Sequence, residues 1–340
     1  MKREYPLDFD FMAEKKINKC LNFAKGVACI LVVFIHCQFP PPVGRYVISI
    51  ARAAVPLFFM VSGYFCFYDD RQRLFERLPQ KIRHIARLSI GAVVLYIVWD
   101  LVKLLLTQSS FYAWTGKFTV DWLFQFLIFN NTDAINTALW FFFALLYCYG
   151  LYYVINKLNL LGVFYRLMPI LFVAFYVLLH AADLFGKAVP TCFYRNAYLE
   201  GLPFFLLGNL LFKHKKRIKR LGVKFALPFT VAGAIGSIVE QSVYARWTPC
   251  LYYTSILLVG GVFMLCVVYE DREISSPVEK LGGKYSLYVY LFHPMIFVLL
   301  GMIELNSELW RYLMPFAVLL LSIIGSVLYV KIKENKKQRM

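Results

Sequence analysis

This 340-residue chain is short of charge: Asp, Glu, Lys and Arg make up 17% of it, against about 25% in ordinary soluble domains. Its residues are 60% hydrophobic, its mean hydropathy is +0.60, and its apolar residues come in blocks near twenty long, parted by short charged segments. Blocks of that length suit membrane-crossing helices and exclude an ordinary soluble domain. No P-loop, GxGxxG or HExxH motif is present, which removes the commonest nucleotide and zinc signatures. The eight cysteines form no CxxC pair and show no metal-ligand spacing with the five histidines, so no metal cofactor is expected. There is no internal repeat and no low-complexity tract. The first 19 residues are polar and charged and no cleavage site of small residues follows an early apolar stretch. The first helix is therefore expected to stay on the protein as an anchor.

What is present is an all-α integral membrane pattern with about ten transmembrane helices. The hydropathy places them near 22–39, 48–68, 87–106, 138–156, 161–181, 201–212, 222–240, 251–268, 285–303 and 312–331. The corresponding organisation is a cytoplasmic segment 1–19, a ten-helix membrane domain 20–331 and a basic cytoplasmic tail 332–340. Residues 122–130 are apolar but too short to span and read as an interfacial or re-entrant piece.

Charge sets the expected orientation. With both termini cytoplasmic, 29 of the 37 Lys/Arg and 12 of the 20 Asp/Glu fall on the inner side, and eight of each fall outside. The whole net charge of +17 then lies on one side, and the Lys/Arg bias satisfies the positive-inside rule. The clusters Lys213–Arg220 and Lys331–Arg339 read as topology signals and contacts for anionic lipids, not as nucleic-acid sites.

Ionisable groups inside spans are costly, and each is a functional-site candidate. Lys25 and His36 share the first apolar run, eleven residues and about three helical turns apart, which is roughly 16 Å along one face. Arg52 lies about four residues into the second span. Asp100 lies two-thirds along the third, with two readings: a local i,i+3 pair with Lys103, or a group that orients Arg52 and His36. Glu240 has the same second reading. Glu200 opens the sixth span. His293 precedes Pro294 in the ninth, where a bond to a neighbouring helix is the bland alternative to a functional role. Arg83 and Arg87, four apart on one helix face, join Lys25 as candidate phosphate ligands. His84 and His214 fall in basic segments and read as solvated, His180 as interfacial. Cys192 and Cys250 both fall in outer segments, so a disulfide between them is conceivable.

These residues carry a resemblance. Lys25-x10-His36, Arg52-Ala-Ala-Val-Pro-Leu-Phe-Phe-Met-Val-Ser62-Gly63-Tyr64, the Arg83/Arg87 pair, Leu139-Trp140-Phe141, Arg195-Asn196 leading to Phe204-Phe205-Leu-Leu-Gly208, and Ser286-Leu-Tyr288-Val-Tyr290-Leu-Phe-His293 occur in that order. Together they resemble the membrane acyltransferase-3 family of bacterial envelope O-acyltransferases, over about residues 18–335. The arginine spacing departs from the family's usual RxxR. The resemblance implies a multi-pass protein of the bacterial cytoplasmic membrane that transfers an acyl group, most simply acetyl, from cytoplasmic acyl-CoA to a hydroxyl of an envelope glycan or lipid-linked sugar. It implies His36 as general base or acyl carrier, Arg52 or His293 at the oxyanion, and Lys25, Arg83 and Arg87 at the donor's phosphates. Asp100, Trp140, Arg195, Asn196, Glu200, Tyr290 and His293 would support the substrate or the site. A transporter or flippase for a polar solute or polyprenyl-linked sugar is the alternative, because intramembrane charges suit that class as well; no matching half-repeat favours it.

Overall fold

A computed structural model describes residues 18–108, 110–243, 250–303, 305 and 307–338. Residues 1–17, most of the expected N-terminal segment, lie outside the described residues, as do the last two of the basic tail.

The helices are α1 (Lys19–His36), α2 (Val43–Ala51), α3 (Ala54–Tyr64), α4 (Arg71–Thr107), α5 (Phe111–Thr115), α6 (Val120–Phe129), α7 (Trp140–Lys157), α8 (Leu161–Leu179), α9 (Ala181–Phe185), α10 (Leu202–Lys213), α11 (Lys215–Leu221), α12 (Val223–Val243), α13 (Ser255–Val268), α14 (Pro277–Lys280), α15 (Ser286–Gly301) and α16 (Glu308–Gln338). Two π-helical turns, Ala197–Gly201 and Leu281–Tyr285, lead directly into α10 and α15. No strand occurs among the described residues. Eight segments are long and apolar enough to cross a membrane: α1, α2 with α3, α4, the 137–157 segment, α8, α12, the 277–301 segment and α16. The protein is an all-α membrane protein. Of the ten expected spans, α10 and α13 are the two short ones, 12 and 14 residues long. Both lie largely inside the bundle, with Phe204, Phe205 and Leu206 of α10 and Phe263 of α13 buried. A helix sheathed by protein need not match the hydrocarbon thickness.

Three details correct the expected boundaries. The second span is broken: α2 ends at Ala51 and α3 begins at Ala54, with Arg52 and Ala53 in the turn between. The third is much longer than 87–106, because the amphipathic stretch from Arg71 continues the same helix, capped by the Asp70 side chain on the Gln72 N–H. The 122–130 piece is α6, whose end is pinned by the Tyr147 hydroxyl donating to the Leu127 carbonyl at 2.8 Å.

Two interlocks set the core. α3 and α10 meet at Gly63 and Gly208; a Cβ at Gly63 would stand 1.8 Å from the Phe205 carbonyl oxygen, and one at Gly208 1.9 Å from that of Met60. Glycine permits this backbone approach, as small residues do at membrane helix contacts. Asn209 fastens the same contact, donating to the Gly63 carbonyl at 3.1 Å and to the Tyr152 hydroxyl at 3.0 Å. The start of α1 is tied to the end of α13 and to α14: Asn18 donates to the Cys266 carbonyl at 2.9 Å, Lys19 pairs with Glu273, and Asn22 donates to Glu279 at 2.9 Å. With α1 fixed there, its other end carries His36 into the middle of the bundle.

Candidate active site

His36, at the last turn of α1, meets His293 of α15, with ring centroids 5.1 Å apart. His293 is fully buried. Its Nδ1 lies 3.1 Å from the Val289 carbonyl one turn back, and the backbone of Tyr290 also interacts with the ring. Pro294 lacks an N–H and so leaves the Tyr290 carbonyl without its helical donor. A carbonyl only accepts, so Nδ1 is the donor in this contact. Nε2 has no partner among the described residues. His293 therefore bonds its own helix rather than a neighbouring one.

Two arginines bear on His36, and a buried carboxyl bears on both arginines. The charges of Arg52 and Arg195 both bear on His36 and on Glu200. Arg52 projects from the break between α2 and α3, and its Nε is buried without a partner; Glu200, buried in the π turn, leaves Oε2 unpartnered. Arg195 lies over the Trp140 ring, 4.6 Å from its centre, a cation–π contact that holds the guanidinium by its face and leaves its edge donors available. Asn196 shapes the segment. Its Oδ1 accepts from the Tyr198 and Leu199 N–H groups at 2.9 and 3.0 Å, and its Nδ2 donates to the Cys192 and Phe193 carbonyls, both at 2.9 Å. Asn130 bridges this segment to α7: it accepts from the Ala197 N–H at 2.9 Å and donates to the Trp140 carbonyl at 3.4 Å.

Below the histidines lies a cavity of about 230 Å³. Its lining includes the cations Lys25 and Lys81 with His84, the hydroxyls of Ser62, Ser286 and Tyr149, and the rings of Phe58, Phe65, Phe141, Phe142 and Tyr290. Tyr290 is common to both regions: it lines the cavity, and its ring centre is 5.8 Å from that of His293. Its hydroxyl donates to the Ala138 carbonyl.

Several expected residues take other places. Arg83 and Arg87 are exposed and do not line the cavity. Lys81 and His84 do; Lys81 also donates to the Phe65 carbonyl at 2.7 Å. The buried positions of α4 (Leu74, Leu78, Ser89, Ala92, Tyr96 and Asp100) mark its inward face. Lys81 falls in that register and the arginines fall off it, a helical periodicity the sequence carries. His84, expected to be solvated, is half-buried. Asp100 takes the local reading, bonded to Lys103 at 2.7 Å and to the Trp114 indole N–H at 3.1 Å. Glu240 is also occupied, accepting from the Tyr253 and Thr254 N–H groups at 2.8 Å each. His180 is buried and stacked on Tyr253 at 5.3 Å rather than interfacial. Cys192 and Cys250 are separate thiols.

The sequence matches the acyltransferase domain family over residues 18–331. The chain belongs to the acyltransferase-3 family. A curated relative, the serine/alanine racemase of Enterococcus gallinarum, is 27% identical over 305 residues, which cover 82% of this chain and 40% of that protein. The chain thus spans about two fifths of the relative's length. No solved structure matches it. The chain therefore carries that family's acyltransferase domain over most of its length.

Proposed function

We propose that this acyltransferase moves an acyl group, most simply acetyl, from a cytoplasmic acyl-CoA to a hydroxyl of an envelope carbohydrate or lipid-linked sugar, in the bacterial cytoplasmic membrane with both termini inside. The observation that carries the reading is one cavity lined both by Lys25, Lys81 and His84 and by Tyr290, whose ring lies beside His293 of the His36–His293 pair. A coenzyme A ester has that polarity: phosphates at one end, then a long slender arm, then the thioester. Lysines serve phosphates as point charges.

In the reaction, His36 takes the proton of the acceptor hydroxyl. The hydroxyl oxygen attacks the thioester carbonyl carbon, and charge gathers on the carbonyl oxygen, where Arg52 and Arg195 supply donors. The intermediate collapses with cleavage of the C–S bond, and the thiolate receives a proton from the His36 imidazolium. Acyl transfer through His36 Nε2 or Nδ1 balances equally, with the thiolate leaving before the hydroxyl attacks. Glu200, with an open Oε2, suits a second hydroxyl of the acceptor. Exposed cations around the hollow of Lys213, Lys216, Arg217 and Arg220 would face anionic lipids.

The test is transfer of labelled acetyl from acetyl-CoA by the purified full chain in nanodiscs carrying envelope lipid extract. The reading expects label in a carbohydrate product. Movement of the acceptor across vesicles without acyl transfer would favour the transporter alternative.

A further inference from the structure

Tyr290 lines the cavity and lies beside His293, and its ring is held from three sides. The hydroxyl is bonded to the Ala138 carbonyl. Phe141 and Phe142 present their edges at centroid distances of 5.7 and 5.2 Å. The ring itself is fixed on α15, one turn beyond Ser286, whose hydroxyl is bonded to the Gly282 carbonyl at 3.1 Å. Phe141 also packs on Phe58 and Phe59, at 6.1 and 4.8 Å. Around Tyr290 the cavity lining is therefore a wall of interlocked aromatic rings.

We infer that Tyr290 is a specificity-determining residue that limits the donor's acyl group to a short chain. The inference rests on the acyl-CoA reading above. A thioester brought up the cavity to His36 must place its carbonyl beside Tyr290, and its acyl tail then runs against the ring wall. An acetyl methyl is the smallest tail that can face those rings. Each further methylene has to displace a ring that is hydrogen-bonded at its tip and flanked by two phenylalanines, and close-packed interiors resist added volume. The hydroxyl's tether matters less than the ring's bulk, because the phenylalanines hold the ring plane from the sides.

The experiment is competition for labelled acetyl-CoA by propionyl-, butyryl- and hexanoyl-CoA on the purified full chain in nanodiscs, for wild type, Tyr290→Phe, Tyr290→Leu and Tyr290→Ala. Wild type and Tyr290→Phe should share one profile, with affinity falling from butyryl onward. Tyr290→Ala should shift the fall-off to longer chains, gaining about fourfold in affinity for each methylene newly buried. Tyr290→Leu should move it less in the same direction, and it carries the test if the alanine variant fails to fold. Variants that bind acetyl-CoA with an unchanged chain-length profile would overturn the role of Tyr290 and leave the donor assignment standing. A wild-type chain that binds none of the four esters would overturn the donor assignment and this inference with it.

Discussion

His36 and His293, 257 residues apart in sequence, face each other with ring centroids at 5.1 Å. Each comes from a different kind of position. His36 is half-buried at the end of α1, whereas His293 is sealed within α15 and committed through Nδ1 to its own helix. The accessible ring suits proton transfer with substrate. The sealed one suits packing against its neighbour from a ring fixed on its own helix.

His36→Ala should lower acyl transfer by about 10²- to 10⁴-fold, the range for loss of a general base, with acyl-CoA affinity retained. His293→Ala should lower kcat by less and leave the KM for acyl-CoA unchanged. Single-turnover transfer alongside equilibrium binding separates the two effects. Transfer undiminished in His36→Ala would remove the histidine from the chemistry.

At the other end of the cavity, Lys25→Ala and Lys81→Ala should each weaken acyl-CoA binding by about ten- to a hundredfold, the worth of one charge-assisted hydrogen bond. Arg83→Ala and Arg87→Ala, whose side chains are exposed outside the cavity, should change it by less than about threefold at moderate salt. Titration calorimetry with acetyl-CoA distinguishes the pairs; equal losses at all four positions would mean that the phosphates bind outside the cavity.

Gly63→Ala should destabilise the protein by more than the usual overpacking cost of about 1–3 kcal/mol, because its Cβ would collide with a backbone carbonyl rather than with a side chain that can turn away. Gly150→Ala, in α7, has nothing within 4 Å and should be neutral or slightly stabilising. Thermal unfolding in detergent would compare them.

Lys219 on α11 bonds to Asp271 and Glu270, each at 2.8 Å, and these hydrogen bonds and charges hold its ammonium above the ordinary lysine value of 10.5. A raised lysine pKa stabilises the folded state fully below the unfolded value and loses that contribution as pH rises through the folded one. The stability gap between wild type and Lys219→Met should thus be flat from pH 7 to 9 and close above about 10.5. A gap that widens over that range would contradict the clip. Thermal shift at matched ionic strength measures it.

The helices were legible because apolar length and charge spacing are local properties. Lys25 and His36 could be placed on one face from the 3.6-residue period alone. The break at Arg52 was hidden, since Ala51-Arg52-Ala53-Ala54 has neither glycine nor proline to announce it and Pro56 falls within the first turn of α3. The length of α4 was hidden for the opposite reason: its first four turns are amphipathic, so a hydropathy threshold starts the helix too late. Charge spacing alone points to Arg83 and Arg87, whereas the inward register of α4 brings Lys81 and His84 to the cavity. Asp100's pairing with Lys103 is local and legible, whereas its Trp114 partner and Glu240's backbone partners at 253–254 lie outside their own helices and are not. Glu200 was named as support, but its nearness to both arginines depends on the π turn that Asn196 caps.

Asn130 holds the Trp140 carbonyl with one end of its amide and the Ala197 N–H with the other. The platform under Arg195 and the turn that carries Glu200 are therefore a single mechanical unit, hinged on one side chain that touches neither charge. A substitution there would loosen both groups at once without removing either. Sequence drift in the loop around residue 130 would shift Arg195 and Glu200 together while the cavity lining at Lys25 and Lys81 stayed as it is.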